Sequence, residues 1–239
     1  MLSFLKWLFS TPASVIAFAS AIIAFCAYTH QRKGLRKQNA CTIADRYAEE
    51  ILPRMRYIDT ILELTQIKSI SYKFVGYKDF TEKELNELLL NAGVTEQEFK
   101  NKLNAVDIDM LNKAFAHSGC NEYIFKYHQA FQKVANETPD ELGLAVHKFI
   151  LDFLNELESV AILLHYNIAE EKLIYQSLHQ TLLSHMKNWY FFISDQNRND
   201  QDRFFSNLIW LHNTWKKRKC DDEASINKIL AFRAKAKKL

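Results

Sequence analysis

Glycine and proline are scarce, with five Gly and three Pro in 239 residues. Hairpin-rich sheets and glycine-rich loops draw heavily on both, so their shortage points to long helices. Neither G-x-x-x-x-G-K-[ST] nor G-x-G-x-x-G occurs, which removes phosphate loops of those kinds. The four cysteines, Cys26, Cys41, Cys120 and Cys220, are scattered without a C-x-x-C pair. Neither a disulfide framework nor a zinc knuckle is indicated. H-E-x-x-H is absent, and none of the eight histidines has Glu three residues before it, which excludes the ligand pattern of a di-iron bundle. No cofactor is expected. Net charge is close to balance at +3.

What the sequence does hold is one long apolar run, residues 7–29, without a charged side chain. A helix crossing a bilayer needs about 20 apolar residues at about 1.5 Å each. The run therefore predicts an amino-terminal transmembrane helix, with Trp7 and Tyr28 at the two interfaces. Thr11-Pro12 can set the helix start, leaving 2–10 as a lead-in. Directly after the run come His30, Arg32, Lys33, Arg36 and Lys37, a poor setting for signal-peptide cleavage. Phe25 before Cys26 does not suit a lipoprotein site either. Only Lys6 and the amino terminus carry positive charge on the other flank. The expectation is a single-pass protein of the inner membrane, with the bulk of the chain in the cytoplasm. Small residues at Ala13, Ala17 and Ala21, and at Ser20, Ala24 and Ala27, would let two anchors approach closely. The same spacing also arises from the abundance of alanine in membrane helices. The bilayer and a second copy of the chain are thus expected partners.

After this anchor and its basic collar (1–37), a juxtamembrane helix and connector are expected over 38–80. Cys41, Ala44, Ala48, Ile51, Met55, Ile58 and Leu62 form a heptad seam, and Pro53 should kink it. It suits a short coiled coil or packing on the following domain. Ile70, Tyr72 and Phe74 alternate as in a short strand. Residues 81–119 read as a cap of short helices. Thr81 to Glu84 and Thr95 to Glu98 are capping boxes, and Gly93 suits a helix end. A third short helix should open at Asp107 or Asp109 and stop near Gly119. Over 120–219 longer helices follow, capped by Asn121, by a box from Thr138 to Glu141 with Pro139, and by a box from Asn167 to Glu170. The last should carry Ile174, Leu178, Leu182, Met186, Tyr190 and Ile193 on one helix. Short turns between such helices make them antiparallel neighbours. The fold class is all-α, a transmembrane helix followed by a cytoplasmic antiparallel bundle with a cap, and a basic helix over 220–239.

The segments Leu154-Asn155-Glu156-Leu157-Glu158, Tyr175-Gln176-Ser177-Leu178-His179-Gln180 and Tyr190-Phe191-Phe192-Ile193-Ser194, closed by Trp215, give a further guide. Over about 140–218 the chain resembles a bacterial family catalogued as a domain of unknown function. The resemblance implies a single-pass membrane protein with a helical cytoplasmic part and a role in antiviral defence. It supplies no catalytic residue.

Glu158, Tyr175, Gln176 and His179 are the polar group singled out. Tyr175 and His179 are four apart and share a helix face, and Glu158 precedes the intervening turn by about as much as Tyr175 follows it. Such a cluster could bind a ligand or sense one, or simply fix helix register. Catalysis is not expected. No Arg is followed by His at the four-to-six-residue spacing of the helical ribonucleases of bacterial defence. Pro139-Asp140 with Glu170-x-Lys172 imitates a nuclease signature, but on helix starts. Lys216, Lys217, Arg218 and Lys219 open a basic tail suited to anionic lipid, to nucleic acid or to a protein partner, or to plain solvation. With Arg32, Lys33, Arg36 and Lys37 they form the expected basic surface. The functional expectation is a non-enzymatic sensor or scaffold anchored at the inner membrane. The alternatives are a membrane-disrupting effector in antiviral defence and an unrecognised nuclease.

Overall fold

The computed structural model describes residues 12–71, 76, 78–198 and 203–236, with side chains at 16 and, within those ranges, from 18 to 230. Among them every regular element is helical and no strand occurs. Helix α1 spans Pro12–Arg46 and passes through a π-helical turn, Tyr47–Ile51, into α2, Leu52–Leu64. Pro53 explains the widened turn. It has no amide hydrogen and its ring crowds the carbonyl of Glu49, and a π turn absorbs both without breaking the rod.

The predicted transmembrane helix is not supported: no described helix is long and apolar enough to cross a membrane. Helix α1 runs unbroken through Arg32, Lys33, Arg36 and Lys37 to buried Ala40, Ile43 and Tyr47. Tyr28 and Ala21 are exposed, and Trp7 and the side chain of Ala17 lie outside the described residues.

A one-turn helix, α3 (Ile67–Ser71), includes Ile70, where the alternation suggested a strand; Tyr72 and Phe74 lie outside the described residues. Three short helices follow: α4 (Glu82–Ala92), α5 (Glu96–Asn104) and α6 (Ile108–His117). Thr81 and Thr95 cap the first two, Thr95 with Glu98 in a reciprocal box. Glu84 instead reaches past its own cap to accept from the amides of Asp79 and Phe80. Gly93 takes φ 67°, the left-handed conformation that ends α4. Asp107 caps α6 and Asn121 caps α7 (Glu122–Glu137).

Two expected boxes are not built. Thr138 leads into a 3-10 turn, Pro139–Glu141, without a side-chain cap, and α8 (Leu142–His165) starts after it. Asn167 stands at φ 55°, and Glu170, ahead of α9 (Glu171–Met186), gives no side-chain cap. Its amide instead donates to the carbonyl of Arg36, pinning α9 to α1. The single helix expected to reach Ile193 divides into α9 and α10 (Tyr190–Gln196), because Asn188 and Trp189 turn into the core. The last helix, α11, spans Ser206–Ala236.

One apolar cluster runs from Ala40 to Trp215 and includes fully buried Trp189, Tyr57, Phe80 and Phe99. Helix α8 lies at its centre and packs on α11, α7 and α5. Its approach to α5 depends on Gly143, where a Cβ would stand 2.7 Å from the backbone Cα of Asn104. In open space Gly143→Ala would stabilise a helix by about 1 kcal/mol. Here the backbone must move, so the substitution should instead destabilise by about 1–3 kcal/mol. Urea unfolding measures the sign, and a stabilised variant would contradict this packing.

Candidate functional site

The residues singled out from sequence fall in two places. Glu158, on α8, spends its carboxylate on the start of α11, accepting from the amides of Asn207 (3.0 Å) and Leu208 (2.7 Å) and from the Asn207 side chain (2.7 Å). The first amides of a helix have no intrahelical partner, and a negative charge there also meets the positive end of the helix dipole. Glu158 is therefore a cap delivered from another helix and makes its hydrogen bonds away from Tyr175.

Tyr175 and His179 do share a face of α9, with rings stacked at 4.2 Å. His179 Nδ1 donates to the carbonyl of Tyr175 at 2.6 Å. The carboxylate that meets them comes from α11: Tyr175 Oη donates to Asp222 at 2.9 Å. Arg218 lies over the Tyr175 ring at 3.9 Å and pairs with Glu171, which also accepts from Trp215 Nε1 at 2.7 Å. Burial, the hydrogen bond to Asp222 and its charge push the Tyr175 phenol up to about 12. The phenol is thus a donor and not a base at neutral pH. Gln176 is exposed and lines a separate groove with Lys33, Arg36, Lys37 and Lys172. Of the basic residues, Arg36 packs on the turn before α9 through Asn167 and Glu170. Arg32 and Lys217 are exposed, and Lys216 and Lys219 line a cleft on the other flank of α9. Among the described residues no cluster of His, Cys, Asp or Glu suits a metal ion.

A family model described as Domain of unknown function (DUF4760) matches residues 14–215. The chain belongs to the DUF4760 family. No curated protein and no solved structure matches it. The match takes in Glu158, Tyr175, Gln176 and His179 but ends at Trp215, so Arg218 and Asp222, which complete the Tyr175 cluster, fall beyond it.

The sequence reading missed the polar groups inside the DUF4760 core. Arg54 is buried, paired with Glu156 and with Tyr127 Oη, and enclosed by the rings of Tyr123, Tyr127, Phe149 and Phe153 within 5.7 Å. Arg46 reaches the same carboxylate at 2.7 Å. Asp59 is held by His185 Nδ1 at 2.6 Å and by the Asn188 amide at 3.0 Å. A signal was available, since Arg54 and Asp59 lie among Met55, Tyr57, Ile58 and Leu62 on the buried side of a helix whose exposed side is taken by Arg56 and Glu63. Charges on a buried face need partners.

His212 is the third such group. It is buried edge-on to Phe80 at 5.4 Å, with Nδ1 donating to Asn213 Oδ1 at 3.2 Å. Burial lowers it to about 4; the Asn213 bond opposes this, while Lys216 and Lys187 lower it further. An unfolded histidine titrates near 6.5. Between those values the unfolded chain binds a proton that the folded chain lacks, so stability falls as pH drops through that window. His128 and His147, also lowered by burial, act in the same sense. Denaturant midpoints measured from pH 7 to 5 should fall less steeply for His212→Gln than for the parent. Parallel slopes would contradict the assignment.

Proposed function

We propose that the chain is a non-enzymatic scaffold or sensing module that assembles with copies of itself through its amino-terminal arm. The observation that carries this is the exposed first half of α1. Ile16 (68%), Ile23 (68%) and Phe25 (67%) are exposed, as are Phe18, Ile22 and Tyr28, on every side of the helix. A helix apolar all round is covered by another surface in its working state. A second copy suits it because Ser20, Ala24 and Ala27 leave room for close approach between such large side chains. The polar groups of the body support a non-enzymatic reading: Glu158, Arg54, Asp59 and Asp222 each have a structural partner. Four free, exposed cysteines support a reducing, cytoplasmic setting, and the earlier resemblance supports a bacterial one.

The arm lies outside the packed core, so charges placed on it leave the body intact. Light scattering on the full chain should give a dimer or larger assembly, and Ile23→Glu with Phe25→Glu should give a monomer with an unchanged unfolding curve. A monomeric parent, or a variant of the parent's size, would overturn the self-assembly reading.

A further inference from the structure

A crevice of about 140 Å³ opens where α5, α8 and α10 meet. The close approach of Gly143 to Asn104 sets the spacing of α5 and α8 there. Buried Phe99, Leu103 and Phe191 form its apolar part, with exposed Leu144 at its edge. The charges around it answer one another. Lys100 pairs with Glu96 at 2.6 Å, Glu96 also takes Arg198 at 2.8 Å, and Arg198 holds Asp195 at 2.6 Å. Asn104 is exposed to water. His147 is different. Among the described residues neither of its ring nitrogens meets a hydrogen-bond partner. Nε2 is covered by protein, so Nδ1 is the nitrogen left on the open edge of the half-buried ring. Burial lowers its pKa, opposed by Asp195 and assisted by Lys100, so the imidazole is neutral at pH 7. A neutral ring offers a donor or an acceptor at Nδ1.

We propose that this crevice binds a small neutral aromatic molecule carrying one hydroxyl group, phenol being the simplest. Size sets the first limit. An apolar cavity of about 150 Å³ takes a benzene ring, whereas larger ligands and cofactors occupy about 300 Å³ or more. Charge sets the second. With the surrounding ion pairs complete, a charged ligand would lose its hydration without gaining a partner. The walls set the third: Phe99 and Phe191 offer ring surface to a ring, and Leu103 and Leu144 flank it. A hydroxyl both donates and accepts, so it pairs with Nδ1 in either tautomer of His147. The crevice lies on the packed body and owes nothing to self-assembly through the arm.

Two-dimensional NMR of the full chain, titrated at pH 7 with phenol and with toluene, tests this. Toluene has the same shape but covers Nδ1 without giving it a partner. Phenol should bind with a Kd of about 1 mM or tighter, and about tenfold more tightly than toluene. The amide shifts should centre on 99–104, 143–147 and 191–195. His147→Phe should reverse the preference between the two ligands. Leu144→Asp sits at an exposed position in the first turn of α8, where an acidic residue suits the helix. It should unfold like the parent and bind phenol about fivefold more weakly. The parent's preference and Leu144→Asp decide even where His147→Phe does not fold. The proposal fails if phenol does not bind in that range, if toluene binds as tightly, or if the shifts centre elsewhere. It fails equally if folded His147→Phe keeps the parent's preference or if Leu144→Asp binds like the parent.

Discussion

The position of α11 depends on one carboxylate. Glu158 leaves the middle of the core through α8 and satisfies the first free amides of α11, with charge-assisted bonds worth about 1.5–3 kcal/mol each. Just before that helix Phe205 stands at φ 57° with its ring buried, a backbone conformation that a bulky residue adopts at a cost of about 1–2 kcal/mol. The cap offsets this strain and fixes where the helix begins. Everything contributed by α11 then follows in register: Leu208, Leu211 and Trp215 toward the core, Arg218 and Asp222 toward Tyr175, and Lys216 and Lys219 toward the cleft on the other flank of α9.

The amino-terminal half is tied to the same frame by Glu156, two residues before Glu158. It accepts from Arg54 and Arg46, so the joint between α1 and α2 is fastened to α8 at the point where the π turn bends the rod. Buried ion pairs lose much of their attraction to desolvation, so this one adds little net stability. Loss of either partner would leave an uncompensated charge, at a cost of about 3–5 kcal/mol. The pair, like Asp59 with His185 and Asn188, therefore selects one arrangement of helices over its alternatives. Two neighbouring glutamates on one helix thus anchor the two ends of the chain to its centre.

What was legible in the sequence is what is decided within three or four residues. Thr81, Thr95, Asp107 and Asn121 cap helices because a short polar side chain can reach its own backbone without help from elsewhere. The box from Asn167 to Glu170 failed because the Glu170 amide, which Asn167 was to accept from, found the carbonyl of Arg36, a partner 134 residues away in sequence that no local pattern reveals. The break at Asn188 and Trp189 has the same origin: a turn chosen by the core and not by propensity. Glu158 was picked out as important for the wrong partner. Distance from a hairpin turn gives the level of a residue along its helix but not the face it occupies, and the true partner amides lie 49 and 50 residues further on. The apolar run predicted a crossing, whereas no described helix is long and apolar enough for one; composition did not reveal that α1 carries straight on from that run into the core.

The body thus carries a projecting apolar arm on α1 and a Tyr175 cluster completed by α11, and the second depends on the Glu158 cap. Hydrogen–deuterium exchange on Glu158→Ala, followed by peptide, tests this dependence most directly. Removal of the cap should speed exchange across the first turns of α11 and carry through to the stretch holding Lys216 and Asp222. The amides of α4 and α5, capped by their own threonines, should keep their protection. Unchanged exchange in α11, or an equal loss across all helices, would contradict the account.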